Sequence, residues 1–206
     1  MARTAKKKKA VSKKAKPTKK PAKPIKKAKT VKVIKKAAQP KKATKSVSIV
    51  KSKVLAIGSS VPDFDMRATI IGQVSRTSLK GKPFVLYFYP KDDTSGCTAE
   101  ACEFRNNLSI FNKVNAAIIG VSKDSIESHE KFSRKYSLNF PLASDEGSDI
   151  CERFGTWVQK SMYGRSYMGI ERTTFLVDSK GIIRGLWRKV SVSGHVDEVK
   201  KALEGL

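Results

Sequence analysis

Two short apolar runs predict the centre of a β-sheet. Pro83–Pro90 reads PFVLYFYP and Ala116–Ser122 reads AAIIGVS. Runs of this length without polar alternation are typical of strands that are buried on both faces, as in a sheet with helices on either side. Both runs are far shorter than the ~20 apolar residues that a membrane-spanning helix needs. The sequence therefore indicates no membrane span.

The segments around these runs alternate between strand and helix patterns. Apolar residues at helical spacing predict a helix over 125–136. The other predicted elements are a hairpin over 64–79, helices over about 97–114, 148–154 and 196–203, a strand over 140–143, and two strands over 173–177 and 182–187 that are joined by a tight turn. This order predicts an α/β domain with the thioredoxin-like fold, in which a central mixed sheet carries helices on both faces.

Charge divides the chain into two regions. Residues 1–53 hold 22 of the 43 Lys and Arg residues and no Asp or Glu, and the first aromatic residue is Phe64. Residues 54–206 carry the remaining 21 basic residues against 18 acidic ones. Like charge with low hydrophobicity and no aromatic side chains cannot offset the entropy of ordering the backbone. We therefore expect a disordered lysine-rich tail over 1–53 and one folded domain over 54–206.

The composition of the tail favours nucleic acid as its partner. Lys-Lys and Lys-Pro steps recur with Ala and Thr between them, similar to the C-terminal tails of linker histones. Lysines supply charge for phosphates, while the absence of aromatic residues leaves no surface for base stacking. Binding would be blind to base sequence and sensitive to salt. An anionic lipid surface, a targeting signal and a purely solubilising role stay open as alternatives.

The cysteine count bears on the compartment. The chain has three cysteines and no apolar stretch that would make its basic start a secretory signal. An odd number of cysteines argues against an extracellular disulfide framework. We expect a reducing intracellular compartment: the cytoplasm or nucleoid of a bacterium, or the nucleus of a eukaryote.

The stretch from Tyr89 to Arg105 carries the most specific chemistry. It reads YPKDDTSGCTAEACEFR and resembles the peroxiredoxins through their Pro-x-x-x-Thr-x-x-Cys motif. The second cysteine, five positions after the first, is similar to the peroxiredoxin Q or bacterioferritin comigratory protein group. Residues 171–178, ERTTFLVD, resemble the later strand of the family with its active-site arginine. The resemblance covers residues 54–206 and implies a thiol peroxidase without a metal or organic cofactor.

The resemblance also implies a role for each matched residue. Cys97 falls in the first turn of a helix, where free backbone N–H groups and the helix dipole favour the thiolate that attacks a peroxide. Arg172 would lie beside the sulfur, Thr94 would bond the thiolate and the peroxide, and Pro90 would shape the pocket. Hydrogen peroxide and organic hydroperoxides are the implied substrates. Thioredoxin or a similar dithiol protein is the implied reductant, and relatives of this group favour a monomer.

Cys102 is then the candidate resolving thiol, which condenses with the sulfenic acid of Cys97. On an ideal helix, residues five apart have Cα atoms about 8.7 Å apart. A disulfide needs roughly 4.4–6.8 Å. We therefore predict that the helix is intact in the reduced protein and loses its first turns when Cys97 and Cys102 join.

Other interpretations of these residues are possible. Cys97 and Cys102 could bind zinc or be inert, but no second pair of ligands at zinc spacing accompanies them. Cys151 is interpreted as a packed small residue. His129 and His195 are expected to be isolated from any Cys or carboxylate cluster, so neither is expected to act in catalysis. Glu100 fits two interpretations equally well: a hydrogen-bond partner near the site, or a first-turn acid that suits the helix dipole.

One rival hypothesis concerns the whole chain. It could be a nucleoid or chromatin protein that binds DNA through its tail and carries a secondary or degenerate peroxidase domain. The intact set of Thr94, Cys97 and Arg172 speaks against degeneracy.

Overall fold

The computed structural model describes residues 55–206, so the predicted tail and the boundary at residue 54 lie outside the described residues. The strands are β1 Asp65–Ala68, β2 Gly72–Ser75, β3 Phe84–Phe88, β4 Ala117–Ser122, β5 Leu142–Ser144, β6 Trp157–Met162, β7 Arg165–Ile170, β8 Thr173–Val177 and β9 Ile183–Arg188. The helices are α1 Ser95–Lys113, α2 Ile126–Tyr136, α3 Ile150–Arg153 and α4 His195–Glu204. No helix among residues 55–206 is long and apolar enough to cross a bilayer.

Seven of the strands form one mixed sheet in the order β2-β1-β5-β4-β3-β8-β9. The strands β3, β4 and β5 run parallel, while β8 pairs antiparallel with β3 and β9 pairs antiparallel with β8. Parallel neighbours place their carboxyl ends at the same edge, so the loops after β3 and β4 lie side by side. That edge holds the start of both α1 and α2.

The central position of β3 in the sheet explains why its apolar run contains no strongly polar residue. Successive side chains point to opposite faces. Phe84, Leu86 and Phe88 enter one core cluster, while Val85 and Tyr87 enter the other. The helices α1, α2 and α4 cover the second cluster, and the short helix α3 packs on the first. The predicted thioredoxin-like arrangement, a mixed sheet with helices on both faces, is confirmed.

Some boundaries and one element differ from the sequence prediction. The helix α1 begins at Ser95 rather than Cys97, and β5 spans Leu142–Ser144 rather than 140–143. The antiparallel pair β6–β7 was not predicted. It turns at Tyr163 and Gly164, both with positive φ. Most of its residues are exposed, so neither strand shows the apolar alternation that marks a half-buried strand.

Candidate active site

Cys97 lies in the first turn of α1, directly after the loop that follows β3. Thr94 is the N-cap residue of this helix, and the Cys97 side chain is 2% exposed. The first N–H groups of a helix have no partner within the helix and carry its positive dipole end. The location predicted for Cys97, at the junction of a buried strand and a helix, is therefore the observed one.

Arg172 reaches this sulfur from just before the strand that pairs with β3. It precedes β8, and the pairing of Phe88 with Thr173 places it beside the loop that follows β3. Its Nη2 donates to Cys97 Sγ at 3.2 Å, although the two residues are 75 positions apart in the chain. The Arg172 side chain is 14% exposed, so little water screens its charge. The contact therefore places a positive charge directly against the Cys97 sulfur.

Glu100 holds the opposite edge of the same guanidinium. Its Oε2 accepts from Arg172 Nη1, and its side chain is fully buried. Its Oε1 has no hydrogen-bond partner among the described residues. Burial raises the pKa of Glu100 to about 7, although the Arg172 charge opposes this shift. Of the two interpretations of Glu100, the structure therefore favours a partner near the site over a helix-dipole acid.

Thr94 and Pro90 lie on the exposed side of the loop. The Thr94 hydroxyl donates to the carbonyl of Lys91 at 3.1 Å. It would have to rotate before it could donate to the thiolate. Pro90 is exposed and, together with Arg172, lines an open cleft of about 570 Å³. The lining of this cleft includes Pro90 and Arg172 but not Cys97.

The β6–β7 pair and the end of β9 form the rest of the cleft. The other lining residues are Val158, Gln159, Lys160, Ser161, Tyr167, Glu171, Lys189 and Val190. Tyr167 is thus at the rim of the cleft, whereas Tyr163 is 97% exposed at the tip of the hairpin. No group of three or more His, Cys, Asp or Glu residues within 55–206 could hold a metal ion.

The two remaining thiols differ in their surroundings. Cys102 is half-buried on α1, and Cys97, Cys102 and Cys151 are all free thiols. Because α1 is continuous over both Cys97 and Cys102, this conformation cannot join them. Cys151 is fully buried on α3. Burial and the neighbouring Asp145 carboxylate raise the pKa of Cys151, which agrees with its interpretation as a packed residue.

His129 contacts a carboxylate, so the prediction that it is isolated was wrong, whereas the partner of His195 is a hydroxyl. His129 Nδ1 lies 2.9 Å from an oxygen of Asp92, and both side chains are buried. His195 Nε2 lies 2.7 Å from the Thr174 hydroxyl. Burial and the charge of Arg172 lower the pKa of His195 to about 4. The sequence separations, 37 and 21 positions, explain why no local motif revealed either contact.

Known proteins resemble this chain over most of its length. The sequence profile of the AhpC/TSA family matches residues 57–186. The putative peroxiredoxin bcp of Coxiella burnetii is 47% identical over 145 residues, which cover 70% of this chain and 96% of that protein. Peroxiredoxin Bcp of Bacillus subtilis is 45% identical over 152 residues, covering 74% of this chain and 97% of that protein.

A solved structure gives the same result in three dimensions. The bacterioferritin comigratory protein of Xanthomonas campestris superimposes with a TM-score of 0.66 at 42% identity. The match covers 69% of this chain and 90% of that one, whose structure was determined in connection with alkyl peroxide reduction.

Proposed function

The chain belongs to the AhpC/TSA family, in its peroxiredoxin Q or bacterioferritin comigratory protein group, and from this we propose that Cys97 is its peroxide-reactive thiol and Cys102 its resolving thiol. The family makes the chain a peroxidase. The observation that supports Cys97 over the other two cysteines is the contact between its sulfur and the Arg172 guanidinium at 3.2 Å.

In the first step, the thiolate of Cys97 attacks one oxygen of the peroxide. A sulfur–oxygen bond forms, the O–O bond breaks, and the leaving oxygen takes up a proton to become water or an alcohol. Cys97 is left as a sulfenic acid. Arg172 favours this step because its charge stabilises both the thiolate and the negative charge that develops on the leaving oxygen. Hydrogen peroxide and organic hydroperoxides both fit this chemistry.

In the second step, the thiolate of Cys102 attacks the Cys97 sulfur. A disulfide forms, and the sulfenic oxygen leaves as water after it takes up a proton. The first turns of α1 must unwind for this step, because the helical spacing of the two residues is too wide for a disulfide. A thioredoxin-like dithiol protein then reduces the disulfide by thiol–disulfide exchange and restores both thiols.

The test is intact-mass analysis of the reduced full chain after one equivalent of hydrogen peroxide. The unmodified chain should lose two hydrogens, and digestion should yield a peptide pair that links Cys97 to Cys102. Cys102→Ser should instead gain one oxygen at Cys97. Cys151→Ala is the matched control and should behave like the unmodified chain. A link that involves Cys151, or a Cys102→Ser chain that still loses two hydrogens, contradicts the assignment.

We further propose that residues 1–53 bind nucleic acid without base specificity. Support comes from their 22 basic residues, their lack of acidic residues and their lack of aromatic side chains. Such a tail would keep the peroxidase close to DNA. The alternative, a DNA-binding protein with a degenerate peroxidase domain, requires that Cys97→Ser leave peroxide consumption unchanged.

The tail proposal is tested by DNA retention at two salt concentrations. The full chain should be retained at low salt and released steeply as salt rises, since each neutralised phosphate adds to the salt dependence. A shortened chain beginning at Val54 should be retained far less. Equal retention of the two chains would refute the proposal.

A further inference from the structure

The residue before the cysteine-bearing turns of α1 is tied to the end of α2. Residues 94–104, here called the cysteine segment, contain Cys97 and Cys102. Asp93, which precedes it, accepts from Lys135 Nζ at 2.7 and 2.8 Å and from the Tyr136 hydroxyl at 2.5 Å. Asp93 has a φ of 56°, a conformation that Asp tolerates better than most residues. These bonds fix the chain direction just ahead of the helix.

Asp92 adds a buried attachment at the same end of the cysteine segment. Its carboxylate accepts from the Ser128 hydroxyl at 2.7 Å and lies 2.9 Å from His129 Nδ1. The Tyr89 hydroxyl donates to it at 2.8 Å, and its own N–H donates to Asp124 at 2.8 Å. A carboxylate only accepts, so Nδ1 of His129 carries the hydrogen. Charge-assisted bonds in a dry site are strong and costly to break.

Arg105 provides the attachment at the other end of the segment. Its Nη1 donates to the backbone carbonyl of Tyr136 at 2.5 Å. Tyr136 is the last residue of α2, where carbonyls have no partner within the helix and the dipole attracts a cation. Tyr136 therefore serves both ends: its hydroxyl holds Asp93, and its carbonyl holds Arg105.

The interior of the cysteine segment is held less completely than its ends. Of the five buried side-chain polar atoms without a partner among residues 55–206, three belong to it: Thr98 Oγ1, Glu100 Oε1 and Glu103 Oε2. Unwinding would let water reach these atoms and would recover part of their hydrogen bonding. Oxidation of Cys97 to a neutral sulfenic acid would also weaken its contact with Arg172.

We propose that α2 fastens both ends of the cysteine segment, through Asp92 and Asp93 on one side and Arg105 on the other, so that unwinding is confined to residues 94–104. The inference rests on the proposed pairing of Cys97 with Cys102. The remainder of α1, up to Lys113, stays helical and serves as a preformed nucleus when the disulfide is reduced. Rewinding is then propagation of an existing helix, which avoids the costly first turn of nucleation. Arg105 and Asp93 act as positioning residues.

The test is amide hydrogen exchange of the full chain, reduced and fully oxidised, after intact mass has established the Cys97–Cys102 disulfide. In the unmodified protein, oxidation should speed exchange over 98–108, whose amides bond to the carbonyls of residues 94–104, and leave residues 109–113 unchanged. In Arg105→Ala, oxidation should also speed exchange over 109–112, by roughly tenfold or more for the loss of a charge-assisted bond. Arg105→Lys should lie between the two.

Arg134→Ala is the matched control, since it removes a basic residue of α2 whose side chain bonds only to Glu130 among the described residues. It should exchange like the unmodified protein. On the other side, Asp93→Ala should speed exchange of the Asp92 amide in the oxidised form, whereas Asp63→Ala, an exposed ion-pair change elsewhere, should not. Tyr136→Phe removes only the hydroxyl that bonds to Asp93, so it should likewise speed exchange of the Asp92 amide in the oxidised form. Arg105→Lys keeps the Arg105 end testable should Arg105→Ala fail to fold.

Two results would overturn the inference. One is a disulfide-bonded protein whose exchange rises throughout α1 without a boundary after residue 108. The other is an Arg105→Ala chain whose oxidised exchange pattern matches that of the unmodified chain. A protein that forms no Cys97–Cys102 disulfide fails at the earlier mass measurement. That result refutes the proposed pairing of Cys97 with Cys102, and therefore also the proposal that α2 fastens the cysteine segment.

Discussion

Cys97 and Cys151 share almost everything except the charge of their neighbour. Both thiols are buried, and both lie in the first turn of a helix. Arg172 donates to the sulfur of Cys97, whereas Cys151 lies against the Asp145 carboxylate, which accepts from its amide at 2.9 Å. Burial and Asp145 raise the pKa of Cys151. The comparison predicts that burial and a helix start alone do not make a thiol reactive, and that a cation in contact with the sulfur is also needed.

The carboxylates near these two cysteines also differ: the pKa of Glu100, near Cys97, is raised, whereas the pKa of Asp145, near Cys151, is lowered. Burial raises the pKa of Glu100 to about 7. Burial also opposes ionisation of Asp145, but hydrogen bonds from the Ser148 hydroxyl and from the amides of Cys151 and Ile150 lower its pKa below the ordinary value. Asp145 is therefore committed to a structural role at the start of α3. Glu100 lacks such amide partners and holds only Arg172.

The largest expected effect comes from replacing Cys97 and Cys151, one at a time. Cys97→Ser should reduce peroxide consumption to the rate of buffer alone, because a serine hydroxyl does not attack the O–O bond of a peroxide. Cys151→Ala should retain full consumption. The measurement is peroxide loss in the presence of a dithiol protein. If Cys151→Ala abolished peroxide consumption and Cys97→Ser did not, the comparison would be contradicted.

The next effect concerns the cation itself. Arg172→Gln should slow the reaction of Cys97 with peroxide by about 10²–10³-fold, the usual size of the loss of one donor to a developing negative charge. Arg172→Lys should recover part of that rate, since it keeps the charge but not the two-armed contact with Cys97 and Glu100. Arg184→Gln, which removes a surface ion pair with Asp178, is the control and should leave the rate unchanged. Stopped-flow kinetics at one pH resolve these rates.

The smallest effect is a pH dependence of stability that separates the two carboxylates. The folded pKa of Glu100, about 7, lies above its ordinary value of 4.5. Its contribution is therefore fully present below pH 4.5 and is lost as pH rises through 7, by up to about 3 kcal/mol. Relative to the unmodified chain, Glu100→Gln should gain free energy of unfolding over this range.

Asp145→Asn should behave differently in the same experiment. The pKa of Asp145 is lowered from 3.8, so its contribution is present above that pH and is lost only as pH falls below it. Its difference from the unmodified chain should stay flat between pH 4.5 and 7. Urea unfolding of both variants at several pH values under reducing conditions measures this. Parallel slopes for the two variants would show that the two carboxylates do not differ.

The sequence predicted those parts of the site that depend on local pattern or on a recognised motif. The apolar run of β3 and the motif after it located Cys97, and the resemblance placed Arg172 beside it. The burial of Glu100 and the contact of His129 with Asp92 depend on how helices pack over the sheet, which no local spacing encodes. The β6–β7 pair was missed because its side chains are mostly exposed, so its alternation carries no apolar signal.

The most direct test of the account follows all three cysteines in one sample. The reduced full chain is treated with less than one equivalent of hydrogen peroxide, quenched, denatured, alkylated and digested, and the free fraction of each thiol is measured by mass spectrometry. The account predicts that Cys97 and Cys102 lose free thiol in equal measure, while Cys151 stays fully alkylated. Loss of free thiol at Cys151, or an unoxidised Cys97, would contradict it.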